Sequence, residues 1–333
     1  MRVLELFAGA GGATTGLIEA GLDVLRCIER DADVHATALA AGHPSVLGDV
    51  RDAGLDIAAD LVWSSFPCQA WSVAGKRLGA ADERNGWPAT IATVRRVRPT
   101  WFIGENVIGL TLHARRAHAG DAGVDPRDCP GCYFEHVVLR ELRATFAEVS
   151  WRILDAADFG VPQRRRRVFI VAGPRPFRWP EPTHADPVLG RIRGRRPWNA
   201  MGDVIGDVRV ERRHFGSLAT SRPELLARPA PTLTTTESKG TRGDAMFGTT
   251  AAGKTRGGPD RASDVLWLAT GIRRLTVDQC AALQAFPPDY PWRGSQESVY
   301  RQIGNAVPPT VAEALGRALL AASPATFTRR SGT

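Results

Sequence analysis

Val3-Leu4-Glu5-Leu6-Phe7-Ala8-Gly9-Ala10-Gly11-Gly12 starts as a short apolar run and passes through glycines into Gly12–Ala20, which has helical spacing. A strand that turns through glycine into a helix is the unit from which parallel α/β sheets are built. The pattern recurs downstream. Val24–Ile28 reads as a second strand, Asp33–Ala41 as a helix, Leu61–Trp63 as a strand, Thr90–Val97 as a helix and Trp101–Ile103 as a strand. Val137–Val149 has the spacing of an amphipathic helix, and Val168–Ala172 is a further strand. This alternation predicts an α/β, Rossmann-like doubly wound sheet.

After Gly173-Pro174-Arg175-Pro176 the texture changes to Pro, Gly, Thr and Arg with short apolar runs, until helical spacing returns at Thr276–Leu283 and Val311–Ala322. The expected organisation is a larger domain over 1–175 and a small, mostly β and loop, domain over 176–267. Residues 268–328 return to the first domain and 329–333 form a tail. At 333 residues, 43% hydrophobic and 23% charged, the chain has the composition of a globular protein with more than one domain. No apolar run approaches the roughly 18 residues of a membrane span. Met1–Phe7 is too short for a signal peptide, so no membrane is expected and the cytoplasm of a bacterial or phage-infected cell is the expected compartment. The net charge of +8 suits an anionic partner, nucleic acid first. Arginine supplies nearly all of it, the lysines being Lys76, Lys239 and Lys254, so a GC-rich coding bias is an equally good source.

Three segments carry reactive groups. Phe66-Pro67-Cys68-Gln69 puts a thiol on a loop after the Leu61–Trp63 run, at the carboxyl edge of the sheet where such folds hold their chemistry. Glu105-Asn106-Val107 follows another strand, and Gln163-Arg164-Arg165-Arg166-Arg167 precedes a third. A thiol, a carboxylate and an arginine cluster at strand ends point to covalent catalysis on a polar, anionic substrate. Strand alternation puts Arg165 and Arg167 on one face, with Arg164 and Arg166 on the other.

Glycines at 9, 11 and 12 let a ligand approach the backbone at a helix N-terminus, although the spacing is not that of the dinucleotide G-x-G-x-x-G motif. Glu29, ending the second strand, suits ribose hydroxyls, and Asp49 in Gly48-Asp49-Val50 suits an adenine amine. A nucleoside pocket without a pyrophosphate fingerprint favours S-adenosylmethionine over NAD.

These segments, in order, resemble the cytosine-5 DNA methyltransferase family over nearly the whole chain. Phe7–Gly12 is similar to its first motif, Pro67-Cys68-Gln69 to its catalytic motif and Glu105-Asn106-Val107 to its acidic partner. Gln163, Arg165 and Arg167 match Gln-x-Arg-x-Arg. Arg274-Leu275-Thr276 through Leu283-Gln284-Ala285-Phe286-Pro287, and Gln302-Ile303-Gly304-Asn305-Ala306-Val307-Pro308, resemble the last two motifs. The resemblance implies methyl transfer from S-adenosylmethionine to carbon 5 of cytosine in a short context of double-stranded DNA, on a flipped-out base. It implies Cys68 as nucleophile, with Glu105, Arg165 and Arg167 around the base. Phe7, Ala8, Gly9, Gly11, Gly12, Glu29, Asp49, Val50, Pro67, Asn305 and Val307 are implied at the cofactor. Gln69, Ser72, Lys76, Arg77, Gln163, Thr232 and Lys239 are implied at the DNA, and a monomer suffices. A catalytically silent DNA-binding protein of the same fold, or an enzyme acting on RNA cytosine, are the alternatives.

Three features depart from the family pattern. Gln279 replaces an acid after the Arg274-Leu275-Thr276 element, which removes an ion pair. Arg30 stands where some members have an aromatic residue. Cys129-Pro130-Gly131-Cys132 lies in extra sequence with His113, His118 and His136 nearby, and reads either as a zinc site or as a surface turn; no metal is assigned.

Overall fold

The computed structural model describes residues 1–52, 57–67, 85–113, 129–188, 194–206, 209–214, 217–220, 227–230, 232–233, 272–273 and 275–323, the strands within 209–220 and 272–273 by backbone alone. The chain divides into two compact units. One comprises Met1–Leu154, Arg166–Glu181 and Ala312–Thr333, the other Asp155–Arg165 and Pro182–Val311.

The first unit is built on a seven-stranded sheet. Its strands are β1 (Arg2–Leu6), β2 (Asp23–Glu29), β3 (Ser45–Leu47), β4 (Leu61–Ser64), β5 (Trp101–Val107), β6 (Glu148–Asp155) and β7 (Arg166–Gly173), in spatial order β3-β2-β1-β4-β5-β7-β6. The pairs β2–β3, β1–β2, β1–β4 and β4–β5 are parallel, and β7 runs antiparallel to β5. Every residue of β4 is buried, as expected of a central strand covered on both faces, and for that reason it reads as a continuous apolar run. Helices α1 (Gly12–Glu19), α2 (Ala32–Ala40) and α3 (Trp87–Val97) make the parallel connections. The core joins Leu4, Leu6, Val62, Phe66, Trp87, Phe102, Phe134 and Ile170. This is the expected α/β, Rossmann-like architecture.

Two expectations along β5–β7 shift. The helix placed at Val137–Val149 begins at α4 (Pro130–Tyr133), continues through a π-helical stretch (Phe134–Leu139) and ends with α5 (Arg140–Arg143). A wider turn in its middle breaks the 3.6-residue period on which the expectation rested. Residues from Glu148 onward are strand β6, at the end of the sheet order, with Trp151 and Ile153 substantially exposed. A half-exposed outer strand has no clean alternation to read.

The second unit has little regular structure among the described residues. It holds β8 (His184–Ala185) paired with β9 (Arg196–Pro197), α6 (Gly202–Ile205), and β10 (Arg209–His214) between β11 (Ser217–Thr220) and β12 (Ile272–Arg273). Helices α7 (Val277–Leu283) and α8 (Gln296–Asn305) follow, and α9 (Pro309–Ala322) leads the chain back into the first unit. Helix α7 starts with a capping box: Gln279 N–H donates to Thr276 Oγ1, and Thr276 N–H donates to Gln279 Oε1. Gln279 Nε2 also donates to the Ile205 carbonyl, so the residue that removes an acid here gives the helix its cap. Among the described residues no helix is long and apolar enough to cross a membrane.

Candidate active site

Because β4 and β5 are parallel and in register from Leu61↔Trp101 to Ser64↔Gly104, the residues that follow both strands emerge at the same sheet edge. Phe66-Pro67 leaves β4 there, and Glu105-Asn106-Val107 forms the end of β5. A buried side chain joins them: Asn106 Nδ2 donates to the Phe66 carbonyl at 2.9 Å, while its Oδ1 accepts from the Val107 N–H. Asn106 therefore fixes Phe66, just ahead of Pro67, from the neighbouring strand. The signal for Asn106 in the sequence is a short polar side chain inside an otherwise apolar strand. Cys68, Gln69, Ser72, Lys76, Arg77 and Lys239 lie outside the described residues.

The antiparallel course of β7 brings the start of that strand to this edge. Val107 pairs with Arg167 and Glu105 with Phe169, so Glu105 and Arg167 project on one face. Arg167 Nε lies 3.3 Å from Glu105 Oε1, both side chains mostly enclosed. Arg167 also donates to the Arg166 carbonyl.

Arg165 precedes β7 and belongs to the second unit. Its side chain is buried and donates to the Leu233 carbonyl, while its N–H donates to Asp155 Oδ1. The Arg-x-Arg alternation thus separates at the strand boundary, one guanidinium reaching a carboxylate and the other a backbone carbonyl. Gln163, expected at the DNA, is fully enclosed within the second unit. Its Oε1 accepts from the Leu233 N–H; its Nε2 lies 3.2 Å from both the Leu283 carbonyl and Gln284 Oε1. Gln284 in turn donates to the carbonyls of Ile303 and Ala306. Thr232 donates to the Arg164 carbonyl at 2.7 Å. This amide relay ties the Gln163 segment to Leu233 and to the end of α8, where Asn305 is exposed and Val307 buried. Gln284 as a link in the relay was missed.

The glycine loop lies at the same edge of the first unit, after β1. Phe7, Gly9 and Gly11 all have positive φ (55°, 62° and 91°), a backbone course that suits glycine and strains Phe7. A Cβ at Gly9 would meet no heavy atom within 4 Å, so the loop leaves space at that point. Glu29 holds it: Oε2 accepts from the Gly9 N–H, and Oε1 from the N–H groups of Arg30 and Asp31. Three bonds leave the carboxylate room for one more donor. Asp49 is clamped by the Arg51 guanidinium at 2.9 and 2.8 Å, which pulls its carboxyl down to about 2 and keeps it an anionic acceptor. Ala8, Gly12 and Val50 are buried around this loop, and Pro67 is half-buried. Two carboxylate acceptors beside an open glycine turn match the hydroxyl and amine donors of an adenosine. These residues fit S-adenosylmethionine.

Beneath the loop, Glu5 is buried on β1. Thr14 Oγ1 donates to its Oε2 at 2.6 Å, and Oε1 has no hydrogen-bond partner. Burial pushes its carboxyl up to about 8, so it is neutral at pH 7.

The family described as C-5 cytosine-specific DNA methylase matches residues 1–321. The chain is similar to the Type II methyltransferase M.NgoMIV of Neisseria gonorrhoeae, with 32% identity over 96% of this chain and 97% of the relative. It is also similar to M.NaeI of Lentzea aerocolonigenes, with 31% identity over 97% of this chain and 75% of the relative. Its fold is like that of the S. pombe Dnmt2 methyltransferase, with a TM-score of 0.61 at 17% identity, over 97% of this chain and 99% of that one. A match over almost the full length and two relatives at about a third identity place this chain in the C-5 cytosine-specific DNA methylase family, as a DNA cytosine-5 methyltransferase that uses S-adenosylmethionine.

Proposed function

We propose that the protein methylates carbon 5 of cytosine within one short sequence of double-stranded DNA, through a covalent Cys68 adduct on a base swung out of the helix. The observation that carries this reading is the bond from Asn106 to the Phe66 carbonyl, which fastens the residue two positions before Cys68 to the strand bearing Glu105. Carbon 5 of cytosine is a weak nucleophile, so it needs activation before it can accept a methyl group. The Cys68 thiolate adds to carbon 6, and the ring electrons shift toward carbon 5 as ring nitrogen 3 takes a proton. Glu105 shares that proton and accepts from the exocyclic amine, and Arg167 fixes its carboxylate at the strand end. S-adenosylmethionine supplies the methyl group. Loss of the carbon-5 proton to a base then restores the carbon 5–carbon 6 double bond and expels the Cys68 thiolate, while ring nitrogen 3 gives its proton back to Glu105.

Arg165, by holding the Leu233 carbonyl, shapes the segment beside Thr232. Gln163 and Thr232 support the DNA-facing loop from inside, whereas Gln69, Ser72, Lys76, Arg77 and Lys239 meet DNA directly. The glycine loop with Glu29, Asp49, Val50 and Pro67 holds the nucleoside. Residues 1–175 and 268–328 carry catalysis, and 176–267 carry target recognition. The names of the relatives favour a role as the modification partner of a restriction system, working as a monomer in a bacterial cytoplasm.

Base-resolution methylation sequencing of DNA from cells expressing the wild type and Cys68→Ser tests the reaction, nucleophile and recognition context together. Methylated cytosines in one short context, absent from the variant, are the expected result. Unmodified DNA with folded wild-type protein present would sink the reading.

A further inference from the structure

The departure at Cys129-Pro130-Gly131-Cys132 becomes specific in three dimensions. Cys129 caps the N-terminus of α4 in extended conformation, and Cys132 lies in its first turn. Neither is in a disulfide, and both are essentially fully buried, at 0% and 1% exposure. His113, 16 residues before Cys129, turns its ring toward them. Its Nδ1 lies 3.7 Å from Cys129 Sγ and 3.5 Å from Cys132 Sγ, and the three donor atoms all fall within 4.8 Å of one another.

We propose that His113, Cys129 and Cys132 bind a zinc ion. Zinc–sulfur bonds of about 2.3 Å and a zinc–nitrogen bond of about 2.0 Å, meeting at the tetrahedral angle, set sulfur and nitrogen roughly 3.5 Å apart. The separations of 3.5 and 3.7 Å in this structure lie close to that value. A pair of thiol hydrogen bonds accounts for the arrangement less well, because Nδ1 offers one lone pair, which matches one S–H donor and not two. Two thiolates and an imidazole are a donor set of the softness zinc selects.

Two further features belong to a ligand site. The opposite ring nitrogen, Nε2, lies 3.6 Å from Glu135 Oε1, beyond hydrogen-bond reach but with a carboxylate on the side of the ring where metal-binding imidazoles commonly have one. Gly131 is where the site requires glycine. A Cβ there would lie 2.9 Å from His113 Cγ, Nδ1 and backbone nitrogen, and the Gly131 N–H donates to the Leu112 carbonyl. Any side chain at 131 displaces the histidine from the thiols. Burial of both cysteines also argues against a thiol pair built for exchange with other proteins, which needs exposure. The zinc is structural. It ties the chain leaving β5 beyond Glu105 to the first turn of α4.

The test is elemental analysis of the full chain, purified under reducing conditions without chelator, followed by replacement of the metal with cobalt(II). About one zinc per chain is expected, and the cobalt form should show thiolate charge-transfer absorption with the visible bands of a tetrahedral site. His113→Cys should retain the metal and raise the charge-transfer intensity about 1.5-fold, since two thiolates become three. Cys129→Ser with Cys132→Ser should lose it. Should that double variant fail to fold, titration of the native wild type with a mercurial reagent replaces it: zinc must be released as these thiols are modified. A wild-type chain free of zinc with both thiols reduced, zinc retained undiminished by the double variant, or a cobalt spectrum unchanged in His113→Cys would each overturn the proposal.

Discussion

At its polar edge the first unit uses charge: Glu105 against Arg167, Asp49 against Arg51, and Glu29 against three backbone N–H groups. Among the described residues of the second unit, beside the charged group of Asp155 with Arg164 and Arg165, three neutral amides join remote segments, Gln163, Gln284 and Gln279 being bonded to one another or to backbone. The difference follows from the amount of regular structure. In the sheet, ladder bonds satisfy the backbone, so side chains at strand ends are left over for a substrate. In a loop-rich unit many backbone groups have no ladder, and a buried one left unpaired is costly. An amide brings donor and acceptor together and, unlike a carboxylate, has no charge to desolvate. Removing charge should therefore damage chemistry in the first unit, and removing amides should damage the fold of the second.

Glu105→Gln keeps the shape of the side chain and loses its charge, so kcat should fall by roughly 10²–10⁴-fold. The melting temperature should stay within a few degrees. Undiminished kcat would remove Glu105 from the chemistry. Glu5 gives the complementary case, a carboxyl of the first unit that is stable because it is uncharged. Its folded-state value of about 8 lies above the ordinary 4.5, so the folded chain holds a proton that the unfolded chain loses between those values. Stability is full below about pH 4.5 and declines as pH rises through 8, by a few kcal/mol. Glu5→Gln can still accept from Thr14 and should abolish this decline relative to wild type in chemical denaturation. An unchanged slope would assign the decline to another group.

Gln163→Leu should destabilise the second unit by about 2 kcal/mol, because Leu233 N–H, the Leu283 carbonyl and Gln284 lose a buried partner. Faster hydrogen exchange at the Leu233 amide, with kcat affected less than KM for DNA, is the expected signature. Equal protection in both proteins would refute the relay. Gln279→Ala should cost about 0.5 kcal/mol, because it removes the side-chain half of the capping box and leaves the Thr276 cap in place. A denaturation midpoint equal to wild type would show that half to be dispensable.

Patterns that survive averaging over a window were readable before folding. The parallel strands β1, β2, β4 and β5 and helices α1–α3 fall where apolar periodicity put them. The glycine turn, Glu29 and the Glu105 segment share one sheet edge, as strand-end reasoning requires. What escaped depends on partners remote in sequence. Gln284 meets Gln163 across 121 positions, and no local spacing encodes that. Asn106 finds its acceptor 40 residues earlier. Gln279 read as the loss of an ion pair because only the missing charge was visible, whereas its cap depends on the conformation of Thr276. The helix at 130–143 was misjudged because a π-helical stretch changes the period being counted.

The reversed direction of β7 has a practical consequence for anyone editing this protein. Parallel strands such as β4 and β5 deliver their ends to the working edge, whereas β7 delivers its beginning, with Arg167 beside Val107 and Ala172 beside Phe102. New sequence spliced ahead of Arg166 therefore enters at the rim where Glu105 stands, and the same insert after Gly173 enters at the far rim.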